Sequence, residues 1–308
     1  MRILVVGGSG LVGAHVTEVL RERGHTVTTA ARTAAPDVDH LLDVTSASAD
    51  DFRRVLAGHD GVVHATRTDE QRALPKPIHP VFRQDLVDPV VRLFAAARAE
   101  GLTRGVLMGS YYTYFDRLCP QWRLPERHTY IRCRVEQAAE GRAAAGPDLP
   151  VAVLELPFVF GRAGDRLPNW AGPLDRWARS RAPLLVPAGG SAAASARSVA
   201  EVTADALEQA SGADIPVADE NLTWADMSAR IAEAVGRPRR VGRLPATAVR
   251  ASVGLGGVLQ SLRRTESGVN PAHVADLLLA ELFIEPTTGR SLDPALRETF
   301  PETAPTAR

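Results

Sequence analysis

Residues 1–32, MRILVVGGSGLVGAHVTEVLRERGHTVTTAAR, decide the fold. The apolar run from Ile3 to Val6 leads into glycines at 7, 10 and 13, and an amphipathic helical pattern follows. A second β-branched run, Thr26 to Thr29, ends in Ala30-Ala31-Arg32. A glycine triplet alone is a weak signal. Set between a strand and a helix within about 30 residues, it marks a dinucleotide-binding βαβ unit. Each glycine has its own reason to be there. Gly7 allows the tight turn off the strand, Gly10 lets a diphosphate approach the backbone, and Gly13 lets the helix pack closely on the sheet. The first helical residues, Leu11 and Val12, then offer unpaired amides to phosphate oxygens.

The end of the second strand bears on which dinucleotide fits. An acidic residue there bonds a ribose 2′-hydroxyl, whereas an arginine accommodates a 2′-phosphate. Ala31 occupies the acidic position and Arg32 follows, so the reading is NADP(H) in preference to NAD(H). The plain alternative is that Arg32 is one solvated arginine among many.

A chain of 308 residues suits one large α/β domain or a domain with a smaller lobe. Lys+Arg and Asp+Glu balance at 36 each, so no basic field argues for a nucleic-acid or membrane partner, and the expected partner is a small-molecule substrate. Lys76 is the sole lysine, so every other basic residue is arginine. Cys119 and Cys133 have neither framework nor metal-ligand spacing, and a reduced, cytoplasmic setting with two free thiols and no metal is expected. The N-terminal apolar stretch is short and ends in glycines, so it reads as a buried strand rather than a signal peptide. No run of about 18 apolar residues is present to span a membrane.

Strand and helix patterns alternate through the first half. Strands are expected at 40–44, 61–65, 105–110 and 150–157, with helices at 48–58, 85–101 and 130–141. The implied architecture is an α/β, doubly wound parallel Rossmann sheet with helices on both faces. The expected division is a Rossmann domain over 1–161, to which 196–219 returns with a helix and a late strand at 215–217. Residues 162–195 and 220–308 form a smaller, mostly helical substrate lobe, with 162–190 loop-rich. Thr223, three residues before Asp226, reads as a helix cap. The tail PETAPTAR reads as frayed.

These motifs resemble those of the extended short-chain dehydrogenase/reductases of the NAD-dependent epimerase/dehydratase type, over nearly the whole chain. Gly7, Gly10 and Gly13 match that family's GxxGxxG turn. Asp43-Val44 resembles its adenine-bonding acidic position, and His64-Ala65-Thr66 its cofactor-lining loop. MGSYYTYF at 108–115 resembles SSxxVYG and places Ser110 at the catalytic serine. ELPFVFG at 155–161 resembles RPxxVYG, the loop over the nicotinamide, with Pro157 retained. Tyr111, Tyr112, Phe158 and Trp170 are the expected substrate side, with plain packing of the tyrosines and of Trp170 as the alternative; the resemblance implies a homodimer through helices near 85–101 and 130–145.

The family's YxxxK element finds its best match in Tyr130-Ile131-Arg132-Cys133-Arg134. In the family the tyrosine exchanges a proton with the substrate oxygen, the serine holds that oxygen, and the lysine grips the nicotinamide ribose. Here the lysine is replaced by Arg134, and Lys76 cannot complete the motif elsewhere. A spacing of four puts 130 and 134 on one helix face. Arginine supplies a permanent charge in a planar fork but cannot relay a proton. The alternatives are that Ser110 only bonds backbone, that Tyr130 is a surface residue, and that Arg134 pairs with Glu136 or Glu140. Glu155 stands in the same loop without an evident role.

Three functions follow from these residues. The first is an NADP(H)-dependent ketoreductase for a small metabolite, an aromatic or polyketide-like ketone of secondary metabolism. The second is a nucleotide-sugar epimerase or dehydratase with tightly held NAD, whose substrate diphosphate would meet Arg239, Arg240, Arg243 and Arg250. The third is a non-catalytic NADP sensor or scaffold.

Overall fold

The computed structural model describes residues 1–67 and 73–302, with the backbone alone at Leu259. Most of the tail expected to fray, from 303 onward, lies outside the described residues. The apolar runs become seven parallel strands: β1 (Arg2–Val6), β2 (Thr26–Ala31), β3 (His40–Leu41), β4 (Gly61–His64), β5 (Arg104–Met108), β6 (Val151–Glu155) and β7 (Asp214–Pro216). Their spatial order is β7-β6-β5-β4-β1-β2-β3. The order reverses between β1 and β4, which opens a crevice beyond the C-terminal ends of those two strands. Strands β4 and β6 are buried at every residue, which is why they read as continuous apolar runs rather than alternating ones.

Helices cover both faces. On one, Phe52 and Leu56 of α2 (Ala49–Leu56) and Val90, Leu93 and Phe94 of α3 (Asp88–Ala99) pack beside α4 (Thr129–Ala145). On the other, Val16 and Leu20 of α1 (Leu11–Glu22) meet Val199, Ala200 and Leu207 of α5 (Ala196–Glu208). The late strand near 215 joins this sheet as β7, beside β6.

Several local expectations change. The strand predicted over 40–44 stops at Leu41, because the Asp43 carboxylate accepts from the Thr45 amide and hydroxyl and turns the chain. The helix predicted to begin at Asp85 starts at His79 and passes through a π turn, Arg83–Val87, before α3. The loop-rich 162–190 stretch contains a helix, Ala171–Arg179, and a short strand, Leu184–Val186. The second half also carries a four-stranded sheet: Gly190–Ser195 pairs with Phe158–Phe160, Glu220–Thr223 and Glu281–Leu282. Thr223 caps the following helix as its spacing predicts, accepting from the Asp226 amide.

Candidate cofactor and catalytic site

The turn after β1 is set by backbone contact. Gly7 has φ +91°, and a Cβ there would lie 2.7 Å from the Ala65 carbonyl carbon and oxygen. A Cβ on Gly13 would lie 2.2 Å from the Gly7 oxygen. Gly10 begins α1 without any side-chain cap, so the first-turn amides stay available. Gly7, Gly10, Leu11 and Val12 form the floor of a cavity of about 780 Å³. Arg32, Asp43 and Val44 stand along it, and so do Ala65 and Thr66 beyond β4. The set fits a nicotinamide dinucleotide: a side-chain-free cradle at a helix N-terminus, with the exposed Arg32 on the cavity wall. Hydrogen bonds from the Thr45 hydroxyl, then its amide, with Arg32 adding charge, hold the Asp43 carboxyl below its ordinary range.

Gly13 and His64 do not line the cavity. Gly13 lies under the turn, as its packing role requires. His64 ends β4 in a buried position, hydrogen-bonded to the Thr66 hydroxyl at 2.9 Å. Burial, aided by the Arg134 charge, pushes its pKa down to about 3. His128 is likewise lowered to about 4, first by burial and then by His273, and its Nδ1 accepts from the Asn270 amide. Both imidazoles are therefore uncharged at neutral pH.

Ser110, Tyr130 and Arg134 converge on the same cavity, together with Pro157 and Trp170. Arg134 is buried and donates through Nε to the Tyr130 oxygen at 3.0 Å. Its Nη1 donates to the Met108 carbonyl at 3.1 Å and to Gln137 Oε1 at 2.8 Å. Gln137 in turn donates to the Leu86 carbonyl in the π turn. A fixed cation donating to a phenol stabilises negative charge on that oxygen. The surface-pair alternative for Arg134 fails, because Glu136 is taken by His79, Arg83 and Arg132, and Glu140 by Arg83. Ser110 Oγ accepts a long hydrogen bond of 3.4 Å from the Tyr112 amide. Glu155 is wholly buried and gripped bidentately by Arg117, with Thr113 donating as well, so it pins the segment after β5.

A second cavity, about 490 Å³, shares Ser110, Tyr130, Pro157 and Trp170 with the first. Tyr111, Tyr112, Phe158 and Trp224 wall it, with aliphatic residues from 269 to 282. Its lining holds no charged side chain among the described residues; Gln260 and Ser267 are the polar groups away from the catalytic end. None of the four arginines proposed for a diphosphate lines it. Arg239 donates to the carbonyls of Trp177, Ala178 and Ala182, and Arg250 pairs with Asp276. Sequence reasoning missed Gln137, although its spacing of three from Arg134 puts it on the same helix face. Trp224 gave no such signal.

The sequence model of the NAD dependent epimerase/dehydratase family matches residues 3–172. The chain belongs to that family, and its sheet has the doubly wound Rossmann order. No curated protein matches the sequence. Among solved structures, that of gox2253 is similar at TM-score 0.77 and 17% identity, over 96% of each chain. A human epimerase family protein, SDR39U1, solved with NADPH, gives 0.67 at 18% identity over 97% of this chain and 99% of that one. A nucleoside-diphosphate-sugar epimerase from Pseudomonas aeruginosa gives 0.67 at 20%, over 96% and 95%. At these identities the likeness is one of fold.

Proposed function

We propose that this protein is an NADP(H)-dependent reductase of a ketone in a small, uncharged, aromatic or polyketide-like metabolite of secondary metabolism. The carrying observation is the second cavity, whose described lining is aromatic and aliphatic and which opens on Ser110 and Tyr130. A nucleoside diphosphate would need basic partners there. Arg32 beside the adenosine end supports the choice of NADP(H).

When bound, the cofactor supplies hydride to the carbonyl carbon. Ser110 donates a hydrogen bond to the carbonyl oxygen, and Tyr130 delivers the proton that converts it to the alcohol. Arg134 holds the charge left on the phenol, and because it stays protonated it acts as a fixed electrostatic partner. Its anchors on Met108 and Gln137 keep it aimed at Tyr130 without help from the ligand.

The test is NADPH oxidation by the purified protein with a panel of aromatic and aliphatic ketones. Turnover should fall about 100-fold or more in Tyr130→Phe and in Ser110→Ala. Unchanged rates would remove both residues from the reaction. Release of stoichiometric NAD on denaturation, with turnover of a sugar nucleotide, would replace this reading by the epimerase one.

A further inference from the structure

The arginines left outside the substrate cavity belong to a larger feature. Residues 237–264, RPRRVGRLPATAVRASVGLGGVLQSLRR, contain seven arginines and no acidic residue, in a chain whose formal net charge is zero. Within this stretch the helix Ala246–Leu262 exposes Leu255 (72%), Val258 (57%) and Leu262 (77%). The spacing of three and then four puts the three side chains on one stripe. They make up half of the six large hydrophobic side chains most exposed among the described residues; the other three, Leu41, Leu118 and Leu185, lie on separate elements.

Arg240, Arg243, Arg263 and Arg264 are exposed and make no ion pair among the described residues. On the C-terminal side Glu266 is engaged by Lys76, and Asp276 by Arg250 and Arg127; on the N-terminal side the exposed Glu233 forms no ion pair with these arginines among the described residues. An unpaired apolar stripe with cationic flanks is the pattern of a helix that lies in a headgroup layer. A second copy of the chain fits poorly, since a two-fold contact would set this arginine-rich surface against itself.

We propose that the helix Ala246–Leu262 docks on an anionic phospholipid surface, with Leu255, Val258 and Leu262 entering the interface and the flanking arginines meeting headgroup phosphates. This attachment lies on the surface and needs no membrane-spanning helix; among the described residues none is long and apolar enough to cross a membrane. The same helix carries Gln260 into the lining of the second cavity, so docking would bring that chamber to the lipid.

The experiment is co-sedimentation of the full chain with vesicles of phosphatidylcholine alone and of phosphatidylcholine with 30% phosphatidylglycerol (about one anionic lipid in three) at low and high salt. The expected result is partition onto the anionic vesicles that falls with salt. Leu255→Asp with Leu262→Asp, both at exposed positions, should reduce it at least about tenfold, and Arg263→Ala with Arg264→Ala by about tenfold. Each variant's thermal midpoint and its shift with NADPH check that the fold is intact. No partition onto anionic vesicles at low salt overturns the proposal. Partition unchanged by the stripe substitutions does so too. So does concentration-dependent self-association that Leu262→Asp abolishes without any vesicle binding, which would assign the stripe to a second copy.

Discussion

Glycines crowd two places in this chain for opposite reasons. In the turn after β1, Gly7 and Gly13 are dictated by neighbouring backbone, since a methyl group on either would overlap carbonyl atoms less than 3 Å away. In the helix Ala246–Leu262, a Cβ on Gly254 or Gly256 would meet nothing within 4 Å. The first pair cannot be changed without moving the cofactor cradle. The second pair is free of any packing demand, in a helix whose only buried side chain among those described is Val249. One region's sequence is written by its own fold, and the other's is left free by it.

Gly13→Ala should break the first region most severely. The new methyl has only backbone to displace, so a loss of about 3 kcal/mol or more is expected in urea unfolding, together with loss of the thermal shift given by NADPH. A stable variant that still binds would remove the steric reading of the turn. Acid comes next. With folded pKa values of about 4 for His128 and about 3 for His64, the unfolded chain takes up protons first. Stability present above the ordinary histidine value of 6.5 is therefore lost as pH falls toward those folded values. For His128 the loss should reach about 3 kcal/mol, read as a falling urea midpoint between about pH 6.5 and 4. A flat profile would mean that the two imidazoles are not held neutral.

Arg134→Leu should cost about 2 kcal/mol, because Gln137 Oε1 and the Met108 carbonyl lose their buried donor. Activity should fall as well, and Arg134→Lys separates the two effects: it keeps the charge and loses the fork. The smallest effect belongs to the second region. Gly254→Ala and Gly256→Ala should each stabilise the helix by about 0.5–1 kcal/mol, seen as slower amide exchange confined to 246–262. Destabilisation there would show that those glycines do face a packing constraint and would erase the contrast.

The parts legible in the sequence were those where a local rule fixes residue identity. The glycine turn, the doubly buried strands and the Thr223 cap each follow from contacts within a few residues. The small sheet was invisible because Gly190–Ser195 reads GSAAAS, with no β-branched or alternating pattern, and its partners run to only two to four residues. Pairings across long stretches of chain were equally hidden. Glu155 has no meaning until Arg117 arrives from 38 residues away, and Gln137 none until its reach to Leu86 is seen. Arg134 lay between these cases. Its spacing from Tyr130 was readable, but its choice of phenol and strand carbonyl over Glu136 and Glu140 depended on Arg83 occupying those carboxylates.

The proposed chemistry needs a nicotinamide dinucleotide held across the β1–β4 crossover with Arg32 at its adenosine end. Calorimetric titration of the purified chain with NADPH and with NADH tests it. Both should bind, NADPH the tighter, and Arg32→Asp should weaken NADPH at least about tenfold while leaving NADH nearly unchanged. No heat and no thermal shift with either coenzyme would contradict the account.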